Sequence, residues 1–178
     1  MTSFRPASRS SSPERSPSPG LFSMTQIRHL MRVEFSRAQR YRYPLACLVL
    51  TVDDLERVRD TEGYDAKEAL LESVIALLQR ETRVCDYLGR LADDRLMAVL
   101  PHTPADGARA AAERLLAAAR AGAGPDGRAT TLSIGGSAYQ DDNTLFFDAL
   151  LEAAEDAVRD AELGGGDRYV AHVPGLSG

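Results

Sequence analysis

Apolar positions recur along this chain with two different periods, and the switches between them mark its elements. From Leu21 onward, Ile27, Leu30, Met31, Phe35 and Ala38 repeat at helical spacing, which predicts an amphipathic helix ending near Tyr41. Pro44 breaks it, and Leu45-Ala46-Cys47-Leu48-Val49-Leu50 is a continuous apolar run suited to a strand buried on both faces. Leu55 and Val58 fit one short helix. A longer one follows Gly63, with Ala66, Leu70, Val74, Leu77 and Leu78 on its inner face. Two short strands, roughly Cys85 to Leu91 and Leu96 to Leu100, flank a short polar turn and predict a β-hairpin. Pro101 and Pro104 punctuate the chain before an alanine-rich helix from Ala105 to Ala121, and a flexible loop is expected from Gly122 to Gly127. A strand from Thr130 to Ala138, a helix from Leu145 to Leu163 halted by Gly164-Gly165-Gly166, and a last strand from Asp167 to His172 complete the series. Alternating strands and helices with one embedded hairpin predict an α/β fold, a mixed sheet covered by helices.

The ends do not share this pattern. Residues 1–20 are Ser, Pro and Arg with little to bury, so they cannot offset the entropy of ordering and are expected to be a disordered, mildly basic tail. A docking or phosphorylation role for its Ser-Pro steps is the alternative, although composition alone gives it no mechanism. The expected domain runs over residues 21–173, with a short tail at 174–178.

Composition narrows the function classes. Of 178 residues, 44% are hydrophobic and 26% charged, ordinary values for a globular domain. A net charge of −5 argues against nucleic acid as a partner, which would call for a basic surface. The basic residues are arginines except for Lys67. No apolar run approaches the ~20 residues that cross a bilayer, so no membrane association and a cytoplasmic setting are expected. In that reducing setting Cys47 and Cys85, each within an apolar run, are expected to be buried thiols.

The candidate chemistry gathers in the hairpin. Arg83-x-x-Asp86 is followed, after five residues, by Ala92-Asp93-Asp94-Arg95-Leu96. This arrangement resembles the GGDEF domain of bacterial diguanylate cyclases, in which an RxxD tetrad stands five residues before the signature. Three further segments are similar to that family in the same order: Leu50 to Tyr64 to its LDIDxFKxINDxxGH segment, Thr131-Leu132-Ser133-Ile134-Gly135-Gly136 to its TxSIG strand, and Ala157 to Arg168 to its closing stretch. The resemblance covers essentially residues 20–173 and implies a nucleotidyl-cyclase-like mixed sheet with the signature on a hairpin.

It also implies which positions have changed. The family's first metal-binding Asp falls on Thr51, and the acidic fourth residue of its signature on Arg95, while Asp94 keeps a carboxylate at the third. Thr51 is a poor ligand for Mg²⁺, and a guanidinium beside it would repel the ion. Ala92 and Asp93 stand where glycines let the hairpin backbone approach the substrate. The family's guanine-reading Asn and Asp fall on Arg59 and Glu68, its phosphate-contacting Lys residues on Glu56 and Glu162, an Arg on Gly166 and a His on Tyr64. The resemblance with these changes therefore implies no diguanylate cyclase activity, no catalytic residues, no cofactor and no Mg²⁺. Asp53, Asp54, Asp93 and Asp94 could be read instead as an alternative acidic metal cluster, but adjacent loop carboxylates are usually solvated.

The tetrad is unchanged. In the family it is the inhibitory site for the product, cyclic di-GMP, and a further arginine of that site matches Arg114 in Ala112-Glu113-Arg114. An arginine fork can donate to guanine O6 and N7 or to phosphate, and a carboxylate can accept from the guanine N1–H and amine. The resemblance thus implies a cyclic di-GMP receptor that binds at Arg83, Asp86 and Arg114 and signals to a protein partner, with a ligand-bridged homodimer as one arrangement. Three alternatives stand beside it: an Arg83–Asp86 pair that is only a surface salt bridge, a scaffold that binds no nucleotide, and residual GTP binding or turnover. Val84 and Cys85, inside the tetrad, read as strand packing.

Overall fold

A computed structural model of the chain describes residues 20–122 and 124–175. The expectations for residues 1–19 and for 176–178 fall outside them. The elements follow in the order α1 (Met24–Tyr41), β1 (Leu45–Val52), α2 (Leu55–Glu62), α3 (Tyr64–Glu81), β2 (Tyr87–Arg90), β3 (Leu96–Pro101), α4 (Ala105–Gly122), β4 (Leu132–Tyr139), α5 (Phe147–Leu163) and β5 (Arg168–Ala171). One mixed sheet has the order β2-β3-β1-β4-β5, antiparallel except for the parallel β4–β5 edge. The α/β class and the hairpin are as the sequence predicts.

The unbroken apolar run of β1 is explained by its place in the centre of that sheet, covered on both faces. Ala46, Leu48 and Leu50 join one core cluster with residues of α2, α3 and α4. Leu45, Cys47 and Val49 point to the other side, into a cluster with residues of α1 and α5. Register is fixed by this two-sided burial: Leu50 faces Leu96 on β3 and Ile134 on β4.

At the hairpin edge the chain just before α1 adds one more strand contact. Phe22 N–H donates to Leu88 C=O at 2.8 Å and Arg90 N–H to Phe22 C=O at 3.0 Å. Helix α1 then packs so closely on β2 that a Cβ at Gly89 would lie 2.5 Å from Ile27 Cβ, which leaves room for glycine alone.

The hairpin is shorter than predicted. β2 starts at Tyr87, because the backbone turns between Arg83 and Asp86, whose N–H donates to Arg83 C=O at 3.1 Å. Val84 and Cys85 therefore do not pack in a strand; both are exposed. The expectation of two buried thiols holds only for Cys47. The loop after α4 contains a single 3-10 turn, Pro125–Gly127.

Candidate functional site

The two regions singled out in the sequence lie at the base and the tip of the β2–β3 hairpin. At the base, α3 ends at Glu81 and the short turn that follows delivers Arg83 and Asp86 to the same surface. Helix α4 crosses beside them, so Arg83, Asp86 and Arg114 line one hollow together with Thr82 and Ala111. Its volume of ≈ 10 Å³ is that of about one water, so a larger ligand would rest on this face rather than enter it.

Within the tetrad the two side chains do not form the simple ion pair considered from the sequence. The Asp86 carboxylate accepts from the backbone N–H of Arg83 at 2.8 Å, while the Arg83 guanidinium donates to Thr103 Oγ at 3.3 Å. Thr103, fully buried, donates in turn to Pro101 C=O at 3.0 Å and so fixes the arginine against the end of β3. Burial pushes the Asp86 carboxyl above the ordinary range, opposed by the Arg83 N–H and by the positive charges of Arg83 and Arg114. The surface thus presents two guanidinium groups and one half-buried acceptor. Such a set can pair with phosphate and with the edge of a guanine.

At the tip, residues Ala92–Asp94 form a 3-10 turn closed by a Leu91 N–H to Arg95 C=O bond of 2.7 Å. Asp93 and Asp94 both have φ of +58°, left-handed conformations that Asp tolerates better than most residues. Behind the turn is a hollow of ≈ 510 Å³, lined by Thr51, Asp53, Glu56, Asp93, Asp94, Arg95, Glu162 and Gly166 among others.

The carboxylates around this hollow are largely engaged. Asp94 Oδ2 lies 2.5 Å from the ammonium of Lys67, and Arg90 donates to Asp94 Oδ1. Arg90 also approaches Glu68 at 3.8 Å. Burial would raise the Asp94 carboxyl, but the bonds from Lys67 and Arg90 outweigh it and hold the group below the usual carboxylate range. Asp53 accepts from Ser133 Oγ at 2.5 Å and from the Asp167 N–H at 2.9 Å. Arg95 reaches across to Glu162 at 3.6 Å. Arg59 is on the exposed side of α2, paired with Glu56 at 2.5 Å and Asp60 at 3.0 Å.

A divalent cation does not suit this donor set. Thr51 offers a neutral hydroxyl, whose oxygen is buried without a protein partner, and both oxygens of Asp94 already face fixed cations. Among the described residues no group of three or more His, Cys, Asp or Glu is arranged to hold a metal ion, the four aspartates of the alternative cluster included.

Lys67 and Arg90 were not recognised as site residues from the sequence. The signal was nonetheless present. Lys67 and Glu68 extend the buried stripe of α3 by one turn: positions 67, 71, 74 and 78 are all buried, as are 68, 71 and 75. A lysine in line with Leu71, Val74 and Leu78 is a lysine directed inward.

Taken with this geometry, the chain belongs to the GGDEF family: the model described as "Diguanylate cyclase, GGDEF domain" matches residues 19–168. Among curated relatives, the probable diguanylate cyclase DgcC of Escherichia coli is 25% identical over 89 residues, half of this chain and 24% of that protein. The match thus spans about a quarter of that relative's length. Among solved structures, diguanylate cyclase SiaD of Pseudomonas aeruginosa, in complex with its activator SiaC, is 26% identical with a TM-score of 0.78, covering 90% of this chain and 62% of that one. The GGDEF domain of DgcB from Caulobacter crescentus, in complex with c-di-GMP, has the same fold at 16% identity, with a TM-score of 0.77 and coverage of 85% and 91%. The chain is therefore related to proteins of cyclic di-GMP signalling, and homologues named for their activity are diguanylate cyclases. Among its described residues no helix is long and apolar enough to cross a membrane.

Proposed function

We propose that this chain is a GGDEF-family domain that no longer makes cyclic di-GMP but binds it, at Arg83, Asp86 and Arg114, and passes the signal to a protein partner. The observation that carries this reading is the convergence of those three side chains, two from the turn between α3 and β2 and one from α4, on one open face. A phosphodiester ring with two guanines finds there two guanidinium donors and one carboxylate acceptor.

The tip of the hairpin supports the loss of synthesis. Of the five carboxylates that line the hollow, Glu56, Asp94 and Glu162 are paired with cations, and Asp53 and Asp93 are left to face whatever enters. A triphosphate would enter a field of its own sign, without a bridging metal to reverse it. No Mg²⁺ or other cofactor belongs to this reading. It takes residues 21–173 as the working unit, 1–20 and 174–178 as tails, and the cytoplasm as its place. Partnership through a ligand-bridged homodimer is compatible with the exposure of both arginines.

Calorimetric titration with cyclic di-GMP tests the reading. Saturable binding that is lost in Arg83→Ala is expected, with a folded variant by circular dichroism. Binding of equal strength in both proteins would overturn the site. No heat in either would leave a nucleotide-independent scaffold, a reading favoured by the small size of the hollow and by the bond that already holds Arg83 to Thr103.

A further inference from the structure

The signature turn is met by a cation from a neighbouring helix. We propose that Lys67 is a resident counter-ion for Asp94, covalently attached through α3, which holds the turn in one conformation whether or not a divalent cation or nucleotide is present. The inference rests on the reading that the hollow behind the turn does not process GTP.

The observations are geometric. Lys67 is 7% exposed, yet its ammonium is in contact distance of a carboxylate oxygen, 2.5 Å from Asp94 Oδ2. A lysine so buried would lose its proton or swing out to solvent without such a partner. Arg90 covers the other oxygen of Asp94 and approaches Glu68, itself 6% exposed. Two cations and two anions therefore close on one another between α3 and the hairpin, with no net charge left over for an ion from solution.

For an intact signature the resemblance implies a metal as the positive charge beside its acidic residue. Here the equivalent charge comes from the chain itself. A divalent cation approaching Asp94 would have to displace an ammonium and a guanidinium that cannot diffuse away. The cost of ordering the turn is met at folding, not at ligand binding.

Amide hydrogen exchange of the full chain tests this at two positions, the N–H groups of Leu91 and Arg95, which make the turn's own bonds to Arg95 C=O and Ala92 C=O. In the unaltered protein both should exchange at the same rate with or without MgCl₂ and GTP. Lys67→Met should speed them by about tenfold, the factor expected for one lost charge-assisted bond, and Lys67→Arg should restore most of the protection. Slowing of these amides by Mg²⁺ in the unaltered protein would overturn the proposal, and so would an unchanged rate in Lys67→Met. Should that variant fail to fold, Asp94→Asn removes this pair together with the Arg90 pair, with little change of volume, and should speed the two amides by at least as much. Cyclic di-GMP formed from GTP, assayed alongside, would sink the non-enzymatic reading without moving these amides, so the two failures are separately visible.

Discussion

Asp86 and Asp94 stand at opposite ends of the same hairpin edge, and their carboxyl groups are displaced in opposite directions. At the base, burial of Asp86 prevails over the nearby charges of Arg83 and Arg114 and raises it. At the tip, the bonds from Lys67 and Arg90 prevail over burial and lower Asp94. The difference is one of contact. The base arginines act on Asp86 through the field and keep their guanidinium groups exposed, whereas the cations at the tip are bonded to Asp94. Proximity of opposite charge is therefore not enough to tell a binding surface from a structural pair; what decides is whether the donors are still available.

This contrast can be broken from either end. The largest effect is expected for Arg83→Ala, which should weaken cyclic di-GMP by about a hundredfold, the loss of two charge-assisted bonds, and leave the urea midpoint almost unchanged. Lys67→Met should do the reverse. It should lower the free energy of unfolding by about 2 kcal/mol in urea titrations and leave ligand affinity as it was.

Acid should separate the two carboxylates without mutation. Asp94 has a folded value below the ordinary 3.8, so its contribution to stability is present above that pH and disappears only as pH falls through the lower, folded value. Asp86 has a folded value above 3.8, so it takes up its proton first on acidification, and its ionised form slightly disfavours the fold at higher pH. Ligand affinity should thus fall at a higher pH than the stability supplied by Asp94. Parallel calorimetry and urea titrations at stepped pH would show it, and coincident losses would refute the contrast. The smallest effect is expected for Asp93→Gly. Relief of a left-handed φ, offset by the greater freedom of an unfolded glycine, should stabilise the chain by less than about 1 kcal/mol, measurable as a shift in the urea midpoint.

The order of elements was legible because the strongest patterns, the apolar run of β1 and the stripes of α1 and α3, are the ones that build the core. The spacing singled out Arg83 and Asp86, and the structure brings them with Arg114 to one face. What the spacing could not convey was the turn from Arg83 to Asp86, which exposes Val84 and Cys85: two apolar residues before Tyr87-Leu88 look like the start of the strand until the Asp86 N–H is found bonded to Arg83 C=O. Arg83 could be singled out in the sequence, but its anchoring by Thr103, twenty positions away, could not. The pairing of Lys67 with Asp94 was hidden for a similar reason. Each residue taken separately has an ordinary solvated reading, and only the closure of the hairpin onto α3 places them together.

The contact of Phe22 with β2 has a mechanical side. A pull applied to the chain ahead of Phe22 would load its two hydrogen bonds to Leu88 and Arg90, and with them the seat of Ile27 on Gly89, before it reached the central strands. Arg90 is thus a bearing point twice over, holding Phe22 through its backbone and Asp94 through its side chain. Tension from that side would reach the signature turn through Arg90, with the sheet behind it acting as the anvil.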